Sequence, residues 1–135
     1  MKTTIIRHTW ILAFAATLFL SLTSSTSATE WQFLGAKTVN YGLDRDVITV
    51  GLTEDGYKRL KVVVRGGGLN MHKMEVVYGN GTKDLIPLRY HFRKRSESKI
   101  IDLEGSERII QKIVFWYDTK NIAHRRARVV VYGGR

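Results

Sequence analysis

From Trp31 onward the chain alternates apolar and polar residues in short runs, broken by turn residues roughly every eight to twelve positions. A period of two, interrupted that often, leaves little besides a sheet protein. An amphipathic helix needs an apolar stripe at a period of about 3.6 residues. No such stripe persists here, and β-branched residues and glycines stand where it would run. The clearest strand is Arg59–Arg65: Leu60, Val62 and Val64 take one face, and Arg59, Lys61 and Arg65 the other. Gly66, Gly67 and Gly68 end it as a loop or bulge, because neither a helix nor a Lys-Ser or Lys-Thr pair follows to make a phosphate loop.

The same alternation predicts strands over 31–39, 46–50, 73–78, 84–93, 99–103, 108–117 and 127–132. The segment Tyr78-Gly79-Asn80-Gly81-Thr82 predicts a tight hairpin, with Asn-Gly supplying the positive φ angles of a type I′ turn. Pro87 has no N–H for a ladder, so the strand that carries it belongs at an edge or at a bulge. The run 108–117 is the longest and is apolar on both faces from Ile113 to Trp116, which predicts a central strand. The expected fold is all-β, an antiparallel and jelly-roll-like β-sandwich.

The first 28 residues read differently. Lys2 and Arg7 precede an apolar run from Ile11 to Leu22, and Thr26-Ser27-Ala28 supplies small residues for cleavage, the order of a secretory leader. The run is far short of the roughly 20 residues that span a bilayer, and no second apolar stretch follows. Residues 1–28 are therefore expected to be a signal peptide and 29–135 one β-sandwich domain, exported to the periplasm or the extracellular space and not integral to a membrane. There is no cysteine, so packing and hydrogen bonds alone must hold the exported domain, as is ordinary in bacteria. Loss of Lys2 and Arg7 takes two charges from the formal +10 and leaves +8. Such a balance attracts anionic partners.

By alternation the basic residues fall opposite the core: Arg59, Lys61 and Arg65 on one strand, and Arg89, His91 and Arg93 on another. Lys94, Arg95 and Lys99 follow, and Arg125, Arg126 and Arg128 introduce the last strand. Guanidinium groups grip phosphate and carboxylate through paired hydrogen bonds. Arg59, Lys61, Arg65, Arg89, Arg93 and Arg95 are thus the candidate anion-binding set, with Trp116 and Tyr132 as stacking surface. The bland counterpart is a solvated face whose cations pair with Glu75, Glu97 and Asp102. His72, His91 and His124 show no metal-ligand spacing, and no cofactor is expected. Asp44 with Asp46, Glu54 with Asp55, and Asp102 with Glu104 and Glu107 sit beside turn residues, where acids commonly serve the turn. No serine occupies a nucleophile elbow, and no enzyme is expected.

The mature chain resembles a family of small exported bacterial proteins known only as a domain of unknown function. The resemblance runs from Phe33-Leu34-Gly35-Ala36 to Val129-Val130-Val131-Tyr132-Gly133. It is clearest at Met74-Glu75-Val76-Val77-Tyr78, Ser98-Lys99-Ile100-Ile101-Asp102-Leu103 and Arg108-Ile109-Ile110-Gln111-Lys112-Ile113-Val114-Phe115. It implies export and a β-sandwich, and it supplies no catalytic residue. The leading expectation is a non-enzymatic binding module of the bacterial envelope that engages an anionic polysaccharide, glycolipid or membrane surface. The alternative is a protein-interaction domain, an envelope assembly partner or an inhibitor of an exported enzyme, using a strand edge or the strip Val114 and Trp116. A carboxylate-pair hydrolase ranks third, and nucleic acid is not an expected partner.

Overall fold

The structure is a computed structural model and describes residues 30–39, 42–51, 55–93, 97–119 and 126–135. The expected leader lies outside these residues, as do Glu54, Lys94, Arg95, His124 and Arg125. Among the described residues nine strands form: β1 (Trp31–Thr38), β2 (Asp44–Thr49), β3 (Arg59–Arg65), β4 (Leu69–Tyr78), β5 (Lys83–Ile86), β6 (Tyr90–Phe92), β7 (Glu97–Asp102), β8 (Ile110–Asp118) and β9 (Arg128–Gly134). None of the described residues forms a helix long and apolar enough to cross a membrane.

Every strand pairing is antiparallel. One sheet has the order β1-β9-β3-β7; the other has β2-β8-β4-β5, with β6 also paired to β4. Setting aside the short β6, nearly every connection crosses from one sheet to the other, and only β4 and β5 form a tight hairpin. This is the jelly-roll double Greek key, an antiparallel β-sandwich. Leu60, Val62, Val64, Val129 and Val131 of the first sheet, with Met74, Val76, Ile113, Phe115 and Tyr117 of the second, fill one core. β8 lies between β2 and β4, as its two apolar faces require, and even its outward Val114 is fully buried.

Four details depart from the sequence expectations, each for a local reason. β4 begins at Leu69 rather than 73, because a bulge between Met71 and Lys73 shifts its register. Leu69 and Met71 therefore share the core side with Met74, although the spacing breaks alternation. β4, not β8, is the longest strand, at ten residues against nine. The run 84–93 is two strands, β5 at the sheet edge and β6. Pro87 lies between them, and Arg89 takes a positive φ of 44°.

The hairpin forms where expected but is not type I′, since only Gly81 within it has positive φ (86°). Gly81 N–H donates to the Tyr78 carbonyl and Tyr78 N–H to that of Thr82, both at 2.9 Å. The loop thus has three residues and ends in a left-handed glycine. The Asn80 side chain accepts from Thr82 N–H at 3.1 Å and from its hydroxyl at 2.7 Å, so the Asn-Gly-Thr sequence serves the turn.

Candidate anion-binding faces

On the solvent side of the first sheet, antiparallel register places residues of four strands together. Lys61 stands opposite both Tyr132 and Ile100, and Tyr132 opposite Phe33. The Lys61 ammonium lies 4.6 Å from the centre of the Trp31 ring and 5.1 Å from that of Tyr132. Phe33 meets Tyr132 edge-on at 6.1 Å and is 58% exposed. β1 presents both Trp31 and Phe33 outward by plain alternation and Leu34 into the core; a bulge between Phe33 and Gly35 then resets the register of the residues that follow. Further along the same face Arg65 is directly opposite Arg128, and Arg59 opposite Asp102. Like charges facing each other across a ladder repel, and a bound anion relieves that repulsion. Asp102 is the one acid at these outward register positions.

Tyr57 anchors the strands beneath this platform. It is fully buried, its hydroxyl donates to Gln32 Oε1 at 2.8 Å, and its ring lies flat against Gly133.

The candidate cations do not all converge. Arg59, Lys61 and Arg65 share the first sheet's outer face. Arg89 lies in the connection before β6 and Arg93 follows it, so both belong to the second sheet; Arg95 lies outside the described residues. Of the strip Val114 and Trp116, only Trp116 is accessible, since its neighbours cover Val114.

The second sheet's outer face has its own cluster. Trp116, opposite Arg45 and Lys73 in register, has the Arg45 guanidinium 5.4 Å and the Lys73 ammonium 4.5 Å from its ring centre. Two residues on, Asp118 is a buried carboxylate. Its Oδ1 accepts from Asn70 Nδ2 at 2.8 Å, and its Oδ2 lies 2.5 Å from His72 Nε2. Asn70 Oδ1 in turn faces His91 Nδ1. His72 thus meets the carboxylate directly, and His91 is tied to it through the Asn70 amide. The sole local hint was the break in alternation at His72. Among the described residues no group of three or more His, Cys, Asp or Glu is placed to hold a metal ion.

A groove of about 290 Å³ brings together Asp84, Asp102 and Glu104. Asp84 is already engaged, accepting from the Tyr78 hydroxyl at 2.6 Å and pairing with Arg108 at 3.5 Å. The Arg108 guanidinium also lies 3.5 Å over the Tyr78 ring centre. Burial, then the bond to Asp84, pushes the Tyr78 phenol above its ordinary pKa, with Arg108 acting in the opposite sense.

Strand order defines the class: a jelly-roll β-sandwich that presents aromatic and basic side chains on both outer sheet faces. Within that class, the chain belongs to the family described as Domain of unknown function (DUF2541), whose model matches residues 13–133. No curated protein matches the sequence significantly. Among solved structures, the coat protein of tobacco streak virus is similar at 19% identity and a TM-score of 0.32, over 78% of this chain and 83% of that one.

Proposed function

We propose that the protein is an exported, non-enzymatic binding module whose first-sheet face engages an acidic polysaccharide of the bacterial envelope. The observation that carries this reading is Lys61 standing between the rings of Trp31 and Tyr132, with exposed Phe33 next to them and the opposed pair Arg65 and Arg128 four residues further along the same strands. Exposed Phe33, with the half-buried Trp31 and Tyr132 beside it, offers contact area to the C–H faces of sugar rings. Lys61 at the rings, and Arg65 with Arg128 roughly 13 Å further along the strands, suit carboxylate or sulfate substituents spaced along the same polymer. A purely solvated charged face would not place three aromatic side chains at its centre. Among the expected polysaccharide, glycolipid and membrane surfaces, the aromatic rings favour a polymer of sugars, with Arg59, Lys61, Arg65 and Arg128 as its cations.

Isothermal titration with dextran sulfate, and with unsubstituted dextran as the neutral control, tests the reading. Binding to the sulfated polymer should weaken as salt rises, because attraction between exposed charges is screened. It should fall about tenfold or more in Lys61→Ala/Arg65→Ala and again in Trp31→Ala. Equal heats for both polymers, or binding indifferent to these replacements, would overturn it.

A further inference from the structure

On the other sheet, His72, His91 and Arg89 line one cavity of about 200 Å³ with Asn70, Met71 and Tyr90. We propose that this cavity is a separate binding site for a phosphate monoester group. The geometry orients its donors in advance. The buried Asp118 carboxylate accepts from both Asn70 Nδ2 and His72 Nε2. That turns the Asn70 carbonyl oxygen toward His91, where it accepts the Nδ1 proton. The relay fixes both imidazole rings and leaves His72 Nδ1 and His91 Nε2 as the nitrogens available to a ligand.

Arg89 adds a guanidinium, the group best matched to a phosphate's paired oxygens. It does so from a left-handed backbone (φ 44°), which is strained for a residue with a Cβ. The Arg89 N–H bond to the His72 carbonyl at 3.0 Å holds that conformation. It also ties the arginine to the strand that carries one of the histidines. A loop chosen for stability alone would place glycine or asparagine there.

The charges around the cavity are mixed. Asp118 contributes a negative charge from β8 and is hydrogen-bonded to His72, while Lys73 lies next along β4. Lys99 of β7 rests 5.0 Å from the ring centre of Tyr90. The volume is enough for one phosphate group.

Two sources of the group are tested in parallel, inorganic phosphate and vesicles of phosphatidylcholine containing phosphatidic acid. In NMR titrations with inorganic phosphate, the imidazole C–H signals of His72 and His91 should move together and saturate. Loss of one charged donor should weaken binding about tenfold or more, read in His91→Gln and in Arg89→Asn. The latter is safe for folding because asparagine tolerates positive φ. Lys61→Ala, on the opposite sheet, should change nothing, which separates failure of this site from failure of the polysaccharide face. Vesicle flotation abolished by Arg89→Asn would extend the site to a lipid headgroup; phosphate binding without flotation would assign it to a soluble phosphate monoester. The absence of a saturable shift, or undiminished binding in both variants, overturns the proposal.

Discussion

Replacing Gly133 by alanine tests whether the Tyr57 anchor holds the platform in place. A Cβ at position 133 would lie 2.5, 2.7 and 2.8 Å from Cδ1, Cγ and Cε1 of the Tyr57 ring. Carbon atoms prefer about 3.5–4.0 Å, so three contacts overlap by about an ångström at once. The ring has no easy retreat. It is fully buried, its hydroxyl is held by Gln32, and its backbone exchanges hydrogen bonds of 2.9 and 3.1 Å with Arg108. Overpacking of a filled core costs about 1–3 kcal/mol, and a rigid ring trapped on three sides belongs at the upper end.

For a domain of this size that loss lowers Tm by about 10–20 °C, measurable by circular dichroism. Gln32, opposite Gly133 in register, is flanked by Trp31 and Phe33, so binding of dextran sulfate should weaken together with stability. The companion Tyr57→Leu removes the ring. In the double variant, Gly133→Ala should then cost about 1 kcal/mol less than it does alone, the coupling expected of two groups in contact. A Gly133→Ala protein melting within about 2 °C of its parent, or strict additivity in the double variant, would refute the reasoning.

Two further outcomes follow from the packing. Because folding raises the Tyr78 pKa, the folded chain holds that proton more tightly than the unfolded one. The associated stability is present below the ordinary value of 10.0 and lost as pH rises beyond it. Thermal melts across that range should show a decline that Tyr78→Phe reduces by up to about one proton's worth of slope; identical slopes would contradict it. At the corner where β1 meets β2, a Cβ on Gly35 would strike Cγ2 of the buried Ile48. Gly35→Ala should therefore cost about 1–3 kcal/mol, and Ile48→Leu, which removes that methyl at nearly constant volume, should recover part of it in urea titrations; no recovery would place the strain elsewhere.

Much of the sandwich is legible along the chain because alternation is a local property. β3 occupies the residues predicted for it, and β8 is central because it is apolar on both faces. Trp116 and Tyr132 fall on outer faces, as their parity requires. The misreadings arise where one residue breaks the period. The bulge around His72 hides the first part of β4, and Arg89 divides β5 from β6.

The sequence by itself therefore determined the strands, their buried faces and the excess of positive charge, since each depends on residues a few positions apart. Only the tertiary structure decided which cations share a surface. The jelly-roll crossing sends β3 and β6 to different sheets, so Lys61 and Arg89 serve different faces. It also brings Asp118 to Asn70 and His72 across 48 and 46 residues. Local periodicity says which side of its strand a residue takes, but the order in which strands pair is set by packing of the whole core. That order assembled the aromatic platform and the histidine cavity.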